Sequence, residues 1–337
     1  MALPLLVRRG TARADRISAT LNGSSLYGLG GDDILTFSGD AGLLDGGDGA
    51  DRLVAMYGGS TLLGGAGDDY LQISYGSGVV DGGDGADKVM VDHASTRIVT
   101  GAGHDRVDAA DGNNFIDTGA GDDRVSLIRG ANDVTTGAGN DTIVAAHGNN
   151  RLIAGDGNDS VTVSWGNNHV EGGAGADQLA ASIGNNLLDG GDGDDAITAL
   201  NGESLLLGGA GADTLRVDAG NSTLDGGAGA DRMIAGADCQ TFRYMQLDGA
   251  AEEIISFRSG TARLFFSHEG LGFGFTGRLR ADGLAFGAAN VAHAQFVFNR
   301  GTGALFWDSD GTGAAPAQFV ATLVGVSSIT AADIRFI

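Results

Sequence analysis

Twelve aspartates recur at a constant interval of 18 residues, and their type and spacing are the clearest indication of chemistry in the sequence. Most of them close glycine-rich strings of the form Gly-Gly-x-Gly-x-Asp, and a glycine stands two residues before every one of the twelve. Calcium is a hard cation that takes six to eight oxygen ligands, and glycine lets loop carbonyls turn toward one point without a Cβ clash. The pattern therefore predicts a row of calcium sites with the carboxylates of Asp33, Asp51, Asp69, Asp87, Asp105, Asp123, Asp141, Asp159, Asp177, Asp195, Asp213 and Asp231.

Apolar residues in the same period predict the elements that must hold these loops. An aliphatic residue or methionine follows each aspartate by two positions, from Leu35 to Met233. A second apolar column lies nine residues further on and runs from Leu44 to Leu224. Two columns offset by half a period predict two short strands per coil, each preceded by a loop. Stacked coils of this kind form parallel sheets with a spacing of ~4.8 Å, and each coil contacts mainly its neighbours.

Composition agrees with a stacked β fold. Of the 337 residues, 61 are glycine and only 2 are proline, which excludes a collagen or a proline-rich linker. The formal charge is −23, and residues 1–240 carry nearly all of it, with 35 acidic and 13 basic residues. Such a polyanion repels nucleic acid and anionic membrane and needs a cation partner. The single cysteine excludes an intrachain disulfide framework, and no apolar run is long enough for a transmembrane segment.

The repeated string resembles the nonapeptide of the RTX (repeats-in-toxin) family, the hemolysin-type calcium-binding repeat Gly-Gly-x-Gly-x-Asp-x-apolar-x. Residues 46–53 (Gly-Gly-Asp-Gly-Ala-Asp-Arg-Leu) and 208–215 (Gly-Gly-Ala-Gly-Ala-Asp-Thr-Leu) carry the resemblance, which covers residues 28–237. It implies an all-β fold, a right-handed parallel β-roll (a β-solenoid of 18-residue coils), with ions between the loops of consecutive coils. About eleven Ca²⁺ ions along one edge are then expected. The backbone carbonyls implied as further ligands are those of Gly46, Gly49, Gly64, Gly67, Gly82, Gly85, Gly103, Gly121, Gly139, Gly157, Gly172, Gly175, Gly190, Gly193, Gly208, Gly211, Gly226 and Gly229.

Loops on the opposite edge of the predicted roll depart from the family pattern. Uncharged residues take the position of the aspartate there: Asn114, Asn132, Asn150, Asn168, Asn186, Ser60, Ser204 and Ser222. Asparagine tolerates left-handed turns and forms side-chain ladders, but it lacks the charge that holds Ca²⁺. We therefore expect one calcium row, with an uncharged polar edge opposite it.

Two segments flank the predicted roll. Residues 1–27 hold a degenerate coil, with Asp15 in register but Arg13 in place of the glycine, and are expected to form a capping coil. Residues 238–337 alternate as strands, and residues 296–307 are typical of a hairpin around Asn-Arg-Gly-Thr-Gly. This part resembles the β-rich C-terminal cap and export segment of RTX proteins that leave bacteria by type I secretion. Asp308 and Asp310 either bind another Ca²⁺ or simply end a hairpin.

The N-terminus does not have the pattern of a secretory signal, because its apolar stretch is short and Arg8 and Arg9 follow it. We therefore expect an extracellular or cell-surface location, reached without an N-terminal signal peptide through the type I secretion machinery. Low calcium inside the cell would leave the acidic stretch unfolded for export, and calcium outside would drive folding.

A column six residues after successive aspartates holds aromatic and charged side chains, which are expected to lie in file and exposed along the polar edge. Exposed aromatic and arginine side chains in a file suggest a contact surface, although loop residues that vary freely are an alternative interpretation. We define the contact stripe as Tyr57, Tyr75, His93, Arg129, His147 and Trp165.

No catalytic motif emerges from the sequence. The nearest approach to a zinc-protease motif, residues 268–272 (His-Glu-Gly-Leu-Gly), lacks the second histidine, and no Gly-x-Ser-x-Gly elbow occurs. The leading hypothesis is a secreted, non-catalytic protein that is structural or that contacts a cell surface, a polysaccharide or copies of itself. The alternatives are an RTX enzyme or an enzyme's accessory module and, because asparagines recur along one edge, an ice-binding protein. The irregularity of those asparagines and the lack of a threonine row there disfavour ice binding.

Overall fold

The structure is a computed structural model that describes residues 6–267 and 277–337 and divides into two compact units, Met1–Glu171 and Gly172–Ile337. Short strands dominate both units, and the described residues contain no α-helix. Two single turns of 3₁₀-helix occur within those ranges, at Ala281–Gly283 and Ala331–Asp333.

In the first unit, each 18-residue coil gives one strand to each of two sheets, which we call sheet A and sheet B. The strands of sheet A are β1 (Val7–Arg9), β3 (Ser25–Gly30), β5 (Leu43–Asp48), β7 (Thr61–Ala66), β9 (Gly78–Asp84), β11 (Thr96–Ala102), β13 (Phe115–Asp117), β15 (Asp133–Ala138) and β17 (Arg151–Asp156). The strands of sheet B are β2 (Arg16–Ala19), β4 (Ile34–Phe37), β6 (Arg52–Ala55), β8 (Tyr70–Ile73), β10 (Lys88–Val91), β12 (Arg106–Ala109), β14 (Arg124–Leu127), β16 (Thr142–His147) and β18 (Ser160–Trp165). Neighbours in each sheet pair in parallel at a register of 18 residues, as Leu44 with Leu62 and Leu53 with Leu71.

The second unit has sheets of the same two kinds, and β19 (His169–Ala174) contains the point of division between the units. The strands of its sheet A are β21 (Leu187–Asp192), β23 (Leu205–Ala210), β25 (Thr223–Ala228), β27 (Thr241–Tyr244), β29 (Arg263–Phe266), β30 (Gly277–Arg278) and β35 (Ile334–Phe336). The strands of its sheet B are β20 (Gln178–Ile183), β22 (Ala196–Asn201), β24 (Thr214–Val217), β26 (Arg232–Ile234), β28 (Glu253–Ile255), β31 (Leu284–Phe286), β32 (Gln295–Phe298), β33 (Ala304–Asp308) and β34 (Gln318–Val324).

Parallel ladders of the second unit continue past Asp231, where the 18-residue spacing of the aspartates ends. Strand β27 pairs with β25, and β28 pairs with β26 so that Glu253 lies opposite Arg232. Strands β34 and β35 then add to β28 and β29. The antiparallel pair β32–β33 sets Phe296 opposite Trp307, which confirms the predicted hairpin.

Alternate residues of each strand point into the coil and form the core. The columns that contain Leu44 in sheet A and Leu53 in sheet B are fully buried. Sheet B carries a second buried column two residues further on, which includes Ile73 and Val91. In sheet A the equivalent inward position is the first glycine of the motif, such as Gly46. The fold is an all-β parallel β-solenoid, as predicted from the 18-residue period. Where sheet A has this glycine, the missing side chain leaves room for the aspartate that follows five residues later.

Candidate metal centre: a row of buried aspartates

The twelve repeated aspartates are buried in the loops that lead from sheet A to sheet B. Each directly precedes a strand of sheet B, as Asp51 precedes β6. All twelve are only 1–2% exposed to solvent. Carboxylates are rarely buried to this extent unless they are paired or bind a metal.

One oxygen of each carboxylate has a defined partner. The backbone N–H of Asp51 donates to Oδ1 of Asp69 at 2.7 Å, and the N–H of Asp69 donates to Oδ1 of Asp87 at 2.9 Å. The same bond recurs along the first unit and along the second unit. This ladder holds the carboxylates one above another at the spacing of the coils.

The second oxygen, Oδ2, distinguishes the row from an ordinary hydrogen-bonded ladder. It is buried and accepts no hydrogen bond at the following positions: Asp33, Asp51, Asp69, Asp87, Asp195, Asp213 and Asp231. A buried acceptor without a donor costs about 1–3 kcal/mol, and a charged one costs more. Divalent cations would neutralise a column of such oxygens, so this set of ligands fits calcium.

Burial raises the pKa of these carboxyls. The pKa is about 7 for Asp69, Asp87 and Asp213 and about 6 for Asp123 and Asp195, against an ordinary value of 3.8. Desolvation is the main cause, and the negative charges of neighbouring aspartates add to it. Folding therefore makes these carboxyls harder to ionise, and a bound cation would favour their charged form.

The first glycine of the motif makes the space in which Oδ2 lies. A Cβ on Gly46 would collide with Oδ2 of Asp51 and would lie 2.7 Å from the carbonyl oxygen of Gly64 in the next coil. Each such position thus brings a carboxylate oxygen near a carbonyl oxygen of the following coil. The predicted ligands that lie in this arrangement are the carbonyls of Gly46, Gly64, Gly82, Gly190, Gly208 and Gly226.

The fourth residue of the motif has a different environment. The carbonyl oxygen of Gly49 points at the Cβ position of Gly67 in the next coil, and the φ of Gly49 is +132°, which favours glycine. Coordination by this group stays a prediction, as it does for Gly172. Its members are Gly49, Gly67, Gly85, Gly103, Gly121, Gly139, Gly157, Gly175, Gly193, Gly211 and Gly229.

Four consecutive coils carry a side chain in place of the first glycine: Thr100, Thr118, Thr136 and Ala154. The hydroxyl of Thr118 donates to the carbonyl oxygen of Thr136 at 3.1 Å. It also lies beside Asp123, where it partly offsets the rise in the pKa of that carboxyl. A neutral hydroxyl thus takes the position that has no side chain in the glycine-containing coils.

The asparagine ladder on the opposite edge satisfies itself. The backbone N–H and the Nδ2 of Asn132 both donate to Oδ1 of Asn150, each at 3.0 Å. Asn114 donates to Oδ1 of Asn132 in the same way. The Nδ2 of each of these asparagines takes the place of the aspartate Oδ2 and donates a hydrogen bond to the next coil. This ladder is therefore stable without a cation.

One residue in each unit stands in register with the repeated aspartates but differs from them. In the first unit, Oδ2 of Asp15 accepts hydrogen bonds from the N–H and the hydroxyl of Thr11, at 2.6 and 2.8 Å. In the second unit, Glu252 takes the position of an aspartate opposite Asp231. Glu252 was not among the predicted site residues, although the Glu-x-Ile pattern that ends at Ile254 matches the Asp-x-apolar pattern of the coils.

Side chains of the contact stripe lie in file, as their spacing predicts. The rings of Tyr57 and Tyr75 stack at 6.0 Å between centroids, those of Tyr75 and His93 at 5.3 Å, and those of His147 and Trp165 at 6.2 Å. Arg129 lies 3.6 Å from Asp111, which occupies the same column. The ring faces therefore contact one another, and the edges of these half-exposed rings face solvent.

The remaining candidates give no complete site. Oδ1 of Asp308 accepts the N–H of Asp310 at 3.3 Å, a geometry typical of a turn, so a calcium site there stays a prediction. The zinc-protease-like residues 268–272 lie outside the described residues. Among the residues that are described, no three histidine, cysteine or carboxylate side chains converge on one point.

No helix in the described ranges is long and apolar enough to cross a membrane.

A parallel β-solenoid whose loops stack buried carboxylates beside glycine carbonyls defines a calcium-binding β-roll. The chain belongs to the family of RTX calcium-binding nonapeptide repeats. The model of that family matches residues 9–44, 45–72, 95–125, 129–161, 162–197, 171–205 and 207–238, which together make up more than half of the chain.

Comparison with other proteins adds little to this assignment. No curated protein matches the chain significantly. Among solved structures, the chain is similar to the AlgE6R3 subunit of the mannuronan C5-epimerase from Azotobacter vinelandii, at 25% identity over 43% of this chain and 79% of that one. The TM-score is 0.31, which supports no conclusion about activity.

Proposed function

We propose that this protein is a secreted calcium-binding β-roll that folds on binding Ca²⁺ outside the cell and serves a structural or interaction role rather than a catalytic one. The observation that carries the proposal is the column of buried aspartate Oδ2 atoms without hydrogen-bond donors. Self-repulsion of the acidic residues opposes folding when calcium is scarce. Calcium neutralises them, and its binding free energy becomes folding free energy.

Not every pair of consecutive loops is expected to bind a calcium ion. Coils with glycine at the first motif position leave the space beside Oδ2 empty of side chains, and these coils are the proposed calcium sites. Coils with Thr100, Thr118 or Thr136 already have a hydroxyl there. The count of about eleven ions is then an upper limit.

Circular dichroism of the full-length chain in calcium and in excess EGTA tests the proposal. We expect the β signal to disappear in EGTA and to return on addition of Ca²⁺. Magnesium at the same concentration is the matched control, because it demands a small octahedral site and releases its water reluctantly. A β signal that persists in EGTA would contradict the proposal.

Export through a type I secretion machinery completes the proposal. Family membership supports it, as does a charge that is concentrated in residues 1–240. The C-terminal region, residues 238–337, is the proposed export signal and cap. We expect the full chain to reach the medium of cells that express a type I transporter, and a chain without residues 238–337 to remain inside. Equal secretion of both chains would refute this assignment.

The contact stripe is the proposed surface for a partner, which is a cell surface, a polysaccharide or a second copy of the chain. The exposed ring edges and Arg129 support this role. Changing Tyr75, His147 and Trp165 together to alanine is expected to weaken adhesion to cells or matrix without loss of the calcium-dependent β signal. Changing Arg97 and Phe115 to alanine is the control, because both are exposed and lie outside the stripe. Undiminished adhesion of the triple variant would assign the stacked rings to stability alone.

A further inference from the structure

The carboxylate row of the second unit has one more member than its repeats provide. Glu253 pairs with Arg232, so Glu252 lies opposite Asp231 in the position of a repeat aspartate. The backbone follows the pattern of the roll there, because the N–H of Glu253 donates to the carbonyl oxygen of Asp231 at 2.8 Å, as that of Arg232 donates to Asp213 at 2.7 Å. The coil that carries Glu252 has no Gly-Gly-x-Gly-x-Asp string, so the repeat motif does not define this place.

Three polar side chains at this place are buried without a hydrogen-bond partner. They are Oε2 of Glu252, Oδ2 of Asp231 and the phenol of Tyr244, in residues that are 6%, 1% and 6% exposed. Tyr244 follows Gly226 by 18 residues and replaces the first glycine of the motif. The carboxyl groups of Asp231 and Glu252 lie within hydrogen-bonding reach of each other. When both are ionised, neither has a hydrogen to donate, so a proton or a cation must lie between them.

A small cavity next to these groups has room for one ion or water molecule. Its volume is about 10 Å³, and Tyr244, Glu252, Asp225 and Asp248 are among the residues that line it. The guanidinium of Arg243 pairs with Asp225 at 2.7 Å and neutralises it. The charges of Asp231, Asp248 and Glu252 remain without a cation.

We propose that Asp231, Glu252 and the phenol of Tyr244 form a terminal calcium site that ties the C-terminal strands to the end of the roll. Strand β28, which begins at Glu253, pairs with β34 of the C-terminal region. An ion that holds Glu252 against Asp231 therefore fixes the strand on which β34 is built. This site rests on the proposed calcium function but uses two residues, Tyr244 and Glu252, that lie outside the repeats.

Terbium, which replaces calcium and luminesces when a nearby tyrosine is excited, tests the site in the full-length chain. The signal that belongs to Tyr244 is the difference between the parent chain and Tyr244→Phe. In the Glu252→Gln background we expect no such difference, so that Glu252→Gln with and without Tyr244→Phe gives the same terbium signal. Glu253→Gln, a change at the adjacent residue whose side chain is half exposed, is the control and should keep it. Glutamine retains an acceptor for the N–H of Asp231, so Glu252→Gln is expected to fold.

Hydrogen exchange in saturating calcium supplies a second measurement. Loss of an ion present at ten times its dissociation constant should speed exchange in β28 and β34 about tenfold and leave β5 and β7 unchanged. A difference signal that survives in Glu252→Gln, with unchanged exchange, would mean that Asp231 and Glu252 share a proton and that the site does not exist. A β signal of the parent chain that does not depend on calcium would instead overturn the proposed function.

Discussion

Changing Asp69 to asparagine is expected to stabilise the metal-free protein while it removes a calcium ligand. Oδ2 of Asp69 is buried and has no donor. Asn132 has the equivalent position on the opposite edge, and its Nδ2 donates to Oδ1 of the next asparagine at 3.0 Å. An asparagine at position 69 would find the same kind of acceptor in Oδ1 of Asp87, which already accepts the N–H of Asp69.

The size of the effect follows from the pKa of about 7 for Asp69 in place of 3.8. A difference of this size corresponds to ~4 kcal/mol between the charged and protonated forms, and screening by water at the edge reduces it to about 2 kcal/mol. The penalty is complete above pH 7, where Asp69 is charged in both states, and is absent below about pH 4, where it is protonated in both. In a cooperative unit of the size of Met1–Glu171, 2 kcal/mol raises Tm by roughly 4–8 °C.

Thermal unfolding in EGTA at pH 8 measures this gain, with an osmolyte such as TMAO present in all samples so that the metal-free chain folds. Equilibrium dialysis in parallel should show fewer bound calcium ions in Asp69→Asn. The reciprocal variant Asn132→Asp is the matched control, since it places an unsatisfied carboxylate in a ladder that now satisfies itself, and it should lower Tm. If Asp69→Asn has an equal or lower Tm than the parent in EGTA at pH 8, the argument from the unsatisfied oxygen is wrong.

Three further predictions concern the same row. In EGTA, stability should fall as the pH rises from about 4 to about 7, because aspartates whose pKa is raised by folding stabilise the folded chain while they are protonated. Tm values at pH 5 and 7.5, in the same TMAO solution that lets the metal-free chain fold, measure this, and equal values would contradict it. In calcium, Gly64→Ala should cost about 1–3 kcal/mol, because its Cβ would overlap Oδ2 of Asp69. Urea denaturation in calcium measures this loss. Gly59→Ala is the control, because its Cβ would have its nearest neighbour at 3.4 Å, and it should change stability by less than about 0.5 kcal/mol. Equal losses in the two variants would refute the role of Gly64. Thr118→Gly should raise the calcium bound per chain by about one ion in equilibrium dialysis, because it frees the space beside Asp123; an unchanged count would show that the hydroxyl does not exclude calcium.

Much of the fold was predictable because an unbroken period shows directly in the sequence. The aspartates and the two apolar columns keep an 18-residue interval, and the strands pair at that same register. The predicted hairpin is also present, because its turn residues lie between two apolar runs. Glu252 was not predicted because its coil is three residues longer than the repeat, which moves Glu252 out of the 18-residue period.

The sequence by itself determined the β-solenoid, the alignment of the aspartates on one edge and the asparagines on the other, and the family. The fold and the two edges follow from spacing, since residues one period apart in such a stack must lie side by side. The family follows from the resemblance of the repeated string to a known motif. Only the tertiary structure decided which oxygen of each carboxylate is free, because Oδ1 is taken by an N–H that lies 18 residues away in the chain. It also placed the threonine hydroxyls in the row and brought Tyr244, Asp231 and Glu252 together. Those relations depend on the direction of side chains within the stacked coils, which spacing alone does not specify.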